Sequence, residues 1–291
     1  MRGFDFYAPD CVEDAINLLT KYKQSLAIVA GGTDIVIELN ERKINPAVII
    51  DIKKLKSMDY IRLEDTKVRM GALTSFTAIA ENDFIKKHVK VLYDAARQVG
   101  SPQIRNLGTI GGNLASSSVA GDGLSAMTTL DASVELKSTR GTRVLKLNEF
   151  LAGEGVSKRN ALKADELLTE VFFDAPDKNT ATAFYKLAKR RTLAISVIGG
   201  GMLVQVDANR RCTKVSMRGG ALARYPLEFV DAQNHLLGKK LALETMQETL
   251  PMLHDAVYES AKNRPWSVFY KKESVQGVFN KLFVQVLDQL T

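Results

Sequence analysis

Ala30-Gly31-Gly32-Thr33-Asp34 follows a short apolar run, Leu26 to Val29, and precedes Ile35. A turn that leaves a strand and opens a helix exposes backbone N–H groups, and glycine admits a phosphate to the backbone with no Cβ in the way. Such a turn binds anions. Thr33 adds a hydroxyl donor. Asp34 would repel a phosphate if aimed inward, which assigns it a capping or ribose-facing role. The spacing is not Gly-x-Gly-x-x-Gly, which disfavours a nicotinamide-binding Rossmann unit. Taken alone, a Gly-Gly after a strand is more often a plain tight turn.

A second glycine turn, Thr109-Ile110-Gly111-Gly112-Asn113, changes that balance, because two such loops can clamp one pyrophosphate. Ser116, Ser117, Ser118 and Asp122 follow it. For the three serines, a flexible polar loop and a ligand-contacting loop stand level. Neither turn contains His or Cys, so a cofactor held there would be held non-covalently. Cys11 and Cys212 are far apart, and His88, His235 and His254 have no carboxylate or Cys at ligand spacing, which excludes a cluster or metal centre built from sequence-local ligands. No Ser-His-Asp or Cys-His arrangement is evident either.

The elements that must carry these turns read as follows. Asp10 is positioned to cap a helix from Cys11 to Tyr22, with Val12, Ala15, Ile16 and Leu19 on one face. Leu26 to Ala30 and Val48 to Ile50 read as buried strands joined through Ile35 to Asn40, a small βαβ-type unit. Val68 to Leu73 is strand-like. Asp83 opens a helix in which Ile85, Val89, Leu92 and Ala96 repeat at helical spacing until Gly100. A helix near Leu124 to Leu130, strands on either side of Thr139 to Thr142, and a strand at Leu167 to Phe173 follow. Asp174 to Thr182 is the best boundary. Beyond it come strands at Ile195 to Val206 and Cys212 to Gly219, then helices at Leu243 to Lys262 and Ser274 to Leu290.

With 291 residues, 45% hydrophobic and 25% charged, the chain has a soluble globular composition, and no apolar run reaches the roughly 18 residues of a membrane span. Without an apolar leader at Met1 to Phe6, a cytoplasmic location is expected. The net charge of +7 resides in short dispersed groups such as Lys53-Lys54, Lys189-Arg190-Arg191 and Lys271-Lys272, with few interleaved aromatics, which argues against nucleic acid and for solvated faces, an anionic cofactor or a partner surface.

Together these phrases resemble a known family, the FAD-binding subunits of xanthine dehydrogenase-type molybdenum hydroxylases. The resemblance runs through both turns, Gln103-Ile104-Arg105-Asn106, Leu130-Asp131-Ala132, Asp165 to Glu170, and Ala183 to Arg190. It covers essentially the whole chain. Within the family, Gly100 to Asn106, Ser117 to Gly123 and Met217 to Gly220 are similar to nicotinate dehydrogenase FAD subunits, with xanthine dehydrogenase subunits as the competitor. One departure is Ser118-Val119, where many relatives have Ser-Pro.

The resemblance implies an α+β fold. Residues 1–178 would form a two-subdomain FAD unit of the vanillyl-alcohol oxidase (PCMH) type, divided near residue 55, and 179–291 a C-terminal domain of the CO dehydrogenase flavoprotein type. It implies that Ile28, Val29, Ala30, Gly31, Gly32, Thr33, Asp34 and Ile35 wrap the FAD pyrophosphate. Thr109, Ile110, Gly111, Gly112 and Asn113 would meet pyrophosphate and flavin, with Asp122, Leu168 and Lys186 completing the contacts. It also implies partners: a subunit with two [2Fe–2S] clusters and a molybdopterin subunit, in a dimer of heteromers, with electrons reaching FAD and leaving to NAD(P)+. A self-contained flavin oxidoreductase and a non-catalytic scaffold are the other readings.

Overall fold

Among the described residues the chain forms an α+β fold with three sheets, distributed over two compact units that interleave along the sequence. The computed structural model describes residues 3–156, 159–190, 193–261 and 265–290; Arg191 and Lys262, named above, lie outside them.

The first unit comprises Met1–Ala78, Pro102–Ser117 and Asp131–Asp174. Its parallel sheet places Val48–Asp51 between Asp5–Tyr7 and Leu26–Val29. Val48, Ile49 and Ile50 are buried, as a central strand of β-branched residues should be. The expected βαβ arrangement is present. The unit also holds an antiparallel five-stranded sheet, in the order Ile61–Glu64, Lys67–Gly71, Leu167–Asp174, Ser133–Ser138, Gly141–Lys146. Helix Val12–Tyr22 packs Ala15, Ile16 and Leu19 against strands of both sheets, worth roughly 1.5–3 kcal/mol for each fully buried large aliphatic side chain. Its N-cap is Cys11, whose Sγ accepts from the Asp14 N–H at 3.4 Å, rather than Asp10.

The second unit comprises Ile79–Ser101, Ser118–Leu130 and Ala175–Thr291. Its antiparallel sheet runs Leu227–Glu228, Cys212–Gly220, Ser196–Val206, Thr180–Ala188. The first of these and the last were not expected as strands. Helix Asp122–Thr129 is buried at every residue and lies close against this sheet. A Cβ on Gly201 would sit 2.2 Å from Thr129 Oγ1, and one on Gly220 would sit 2.0 Å from Ser125 Oγ. Small residues on both elements therefore set how near the helix comes.

Two expected helices are each divided. Val89, with φ −125° and ψ 62°, separates Asp83–His88 from Lys90–Gln98. Ile85, Val89, Leu92 and Ala96 are nevertheless all fully buried, because a single-residue break barely disturbs the apolar face. Likewise Leu243–Gln247 ends before Leu250–Ala261, since Pro251 fits only the first turn of a new helix. The last helix starts at Pro265 rather than Ser274, for the same reason.

Candidate functional site

The first glycine turn leaves strand Leu26–Val29 and enters the short helix Ile35–Asn40. Gly32 has φ +75°, a conformation that favours glycine, and its carbonyl accepts the Val36 N–H at 3.2 Å. Asp34 occupies the N-cap position but makes no side-chain capping bond, and its carboxylate is exposed. Its carbonyl instead accepts from Ile37 and Glu38. The backbone N–H groups of Gly31, Gly32, Thr33, Asp34 and Ile35 donate to no acceptor among the described residues. Ile28, Val29 and Ala30 lead into this row half-buried, and Ile35, its last member, is half-buried too. A run of free N–H groups is the chemistry of anion binding.

Gly31 lies against the residues that introduce the second turn. A Cβ there would sit 1.9 Å from the Leu107 carbonyl oxygen and 3.0 Å from the Gly108 nitrogen. The two glycine turns, widely separated in sequence, are thus in backbone contact within one unit.

The second turn differs from the first in where its donors go. Thr109 caps helix Ile110–Ser116 through its Oγ1, which accepts from the Gly112 N–H at 3.1 Å. Ile110 N–H donates to the Thr74 carbonyl and Gly111 N–H to the Ala72 carbonyl, both at 2.9 Å. Gly111 is required by that approach, since a Cβ would fall 2.5 Å from the Ala72 Cβ. The leading N–H groups close the turn on the protein itself, and side chains are left to meet a ligand. Asn113 is the salient one: its Oδ1 is buried and has no hydrogen-bond partner. A buried unpaired amide oxygen costs about 1–3 kcal/mol, which a donor from a bound molecule would remove. Leu168 sits in strand Leu167–Asp174 opposite Leu136, 5% exposed, packed as a core residue.

In the second unit, Asp122 and Lys186 meet each other. Lys186 Nζ donates to Asp122 Oδ2 at 2.6 Å and to the Gln98 carbonyl at 2.9 Å. Asp122 Oδ1 accepts from Ser196 Oγ at 2.5 Å. Burial pushes the Asp122 carboxyl above the usual carboxylate range, and the Lys186 ammonium opposes that shift without cancelling it. Gln98 and Ser196 were missed from sequence, and no spacing signal could have found them; they meet the pair only through the packing of strand on helix. Ser118 is exposed, its carbonyl accepting from Gly121 N–H. His235 pairs with Glu248 and Lys239, and His254 with Asp255 and Glu273.

Comparison with known proteins divides the chain differently from the two interleaved units. The family described as FAD binding domain in molybdopterin dehydrogenase matches residues 2–176, and the CO dehydrogenase flavoprotein C-terminal domain matches 183–286. The nicotinate dehydrogenase FAD-subunit of Eubacterium barkeri is 62% identical over 291 residues, covering 100% of this chain and 98% of the relative. The xanthine dehydrogenase FAD-binding subunit of Escherichia coli O157:H7 is 32% identical over 249 residues, 84% of each chain. A solved carbon monoxide dehydrogenase from Hydrogenophaga pseudoflava superposes with a TM-score of 0.90 at 22% identity, over 99% of this chain and 98% of that one, a likeness of fold.

Proposed function

The chain belongs to the FAD-binding subunits of the xanthine dehydrogenase-type molybdenum hydroxylases, and from that premise we propose that it holds FAD non-covalently as the flavin component of a nicotinate dehydrogenase. The observation that carries this reading is the contact of Gly31 with Leu107, which joins a row of free N–H groups to the turn bearing Asn113.

The residues present fit the cofactor. Gly31 to Ile35 would hold the pyrophosphate with backbone donors, which neutralise charge without placing a cation there. Thr33 would add its hydroxyl. Asn113 Oδ1 is suited to accept from a hydroxyl or N–H of the same molecule. Ile28, Val29 and Ala30 would exclude water along one side of the phosphates. The same reading assigns Ile110 and Leu168 to packing, and Asp122 and Lys186 to polar contacts. Because Asp122 and Lys186 already neutralise each other, they would offer an oriented dipole more than a net charge.

Bound FAD would supply the exchange between one-electron carriers and a two-electron acceptor. We assign those carriers to [2Fe–2S] clusters on a partner subunit, the hydroxylation to a molybdopterin subunit, the acceptor to NAD(P)+, the assembly to a dimer of heteromers, and the location to the cytoplasm. The 62% identity favours nicotinate as the substrate of the complex, and the 32% relative keeps xanthine as the alternative.

The test is purification of the complex through a tag on this chain, with metal and flavin analysis, followed by assays with nicotinate and xanthine. Nicotinate-dependent reduction of NAD+ or NADP+, without xanthine turnover, is the expected result. Xanthine turnover alone would move the chain to the purine branch. Turnover of an organic substrate by the isolated chain would favour a self-contained oxidoreductase.

A further inference from the structure

The helix that carries the second turn, Ile110–Ser116, ends at Ser117, a buried residue in the left-handed conformation with φ 48° and ψ 40°. A helix end leaves carbonyls without intrahelical partners. Here they are met from another part of the same unit. Asn160 Nδ2 donates to the Ala115 carbonyl at 2.8 Å and to Ser117 Oγ at 2.8 Å, and Ser117 Oγ donates onward to the Leu114 carbonyl at 2.8 Å. Asn160 is 1% exposed. The orientation of its amide is unambiguous, because the Ala115 carbonyl can only accept and the Leu162 N–H, which reaches Asn160 Oδ1 at 3.1 Å, can only donate.

The loop around Asn160 is held without those two donors. Gly155 N–H reaches the Asn160 carbonyl, Val156 N–H the Leu162 carbonyl, and Ala161 N–H the Phe150 carbonyl. Arg143 donates to the Ala161 carbonyl and to Glu166. Both Nδ2 donors are therefore directed at the helix end. That helix spans only two turns, so whatever anchors Leu114, Ala115 and Ser117 also sets the placement of Gly112 and Asn113.

We infer that Asn160 is a positioning residue for FAD: its side-chain amide locks the C-terminal end of helix Ile110–Ser116 and thereby holds Asn113 at the cofactor. The inference rests on the FAD reading above. Asn160→Asp is the decisive variant, because it keeps shape and the Leu162 contact while turning two donors into an acceptor facing an oxygen on each side. Ser117→Ala is the milder one, removing the relay and leaving the Ala115 contact.

The measurement is FAD titration of the flavin-free full-length chain by fluorescence, with circular dichroism of the free protein and the visible spectrum of the bound flavin. Asn160→Asp should weaken FAD binding roughly 10- to 100-fold at unchanged secondary structure, with Ser117→Ala between it and wild type and an altered flavin spectrum in both. Wild-type affinity in a folded Asn160→Asp chain would overturn the inference. If Asn160→Asp fails to fold, wild-type affinity and spectrum in Ser117→Ala would overturn it instead. Absence of FAD binding by the wild type would remove the FAD reading itself, and the inference with it, a result recognisable before any variant is made.

Discussion

Replacing Gly31 by alanine places a methyl carbon 1.9 Å from the Leu107 carbonyl oxygen and 2.6 Å from its carbon. Real Cβ contacts do not fall below 3.0 Å, so turn and neighbour must separate by about 1 Å, and the obstacle is backbone rather than a side chain that could swing away. Overpacking of this kind costs about 1–3 kcal/mol when absorbed locally. Here the separation opens the junction between the two turns. Binding that depends on both therefore loses more than folding does. We expect Gly31→Ala to unfold at modestly lower urea concentration and to lose FAD by dialysis under conditions in which the wild type keeps it. Gly32→Ala is the internal comparison: its methyl would meet Val36 Cγ2 at 3.4 Å and Val29 Cγ1 at 3.8 Å, both ordinary contacts, leaving a backbone penalty of roughly 1–2 kcal/mol at φ +75°. Flavin absorbance after gel filtration, with urea melts of the flavin-free proteins, reads both effects. If Gly31→Ala retains stoichiometric FAD at wild-type stability, the contact between the turns does not hold the site.

Lys186→Met should destabilise the chain by about 3–5 kcal/mol at neutral pH, because it strands the Asp122 carboxylate in a buried position. The pH dependence has a definite sign. Burial already raises Asp122 above its unfolded value, so the folded state binds more protons between the two values and stability falls as pH rises through that interval. In Lys186→Met the interval extends upward, so acidification should recover part of the loss, and adding Asp122→Asn should recover it independently of pH; melts that ignore pH would refute this. Thr109→Ala should cost about 1 kcal/mol in urea melts through loss of the Gly112 N–H cap, while Thr109→Ser should be close to neutral.

How much of this was legible in the sequence follows from the range of each interaction. The first turn and its strand were legible because glycine, threonine and an apolar run act on their immediate neighbours, and the pairing of the turns was expected, but the helices on either side of the second turn, Pro102–Leu107 and Ile110–Ser116, were not. The reason for the pairing, Gly31 on Leu107, was not legible, since only tertiary packing brings those backbones together. Nor was the different use of the two turns: identical glycine pairs leave their N–H groups free at Gly31-Gly32 and engaged at Gly111-Gly112, because the Ala72 carbonyl meets Gly111 and Thr109 Oγ1 meets Gly112. Asp34 was correctly put at a helix start, yet a capping bond needs a side-chain rotamer that sequence does not specify. Asn160 and Ser196 escaped notice because an isolated Asn or Ser has no periodicity to betray its partner. By contrast, Pro251 and Pro265 were signals within reach, each marking a helix start that apolar spacing alone ran past.

We propose that the paired turns hold FAD without a covalent bond. Acid precipitation of the native protein, followed by chromatographic identification of the released flavin, tests it most directly. FAD in the supernatant, stoichiometric with the chain, and a colourless precipitate are expected; a native protein without flavin, or colour retained in the precipitate, would contradict non-covalent binding at the two turns.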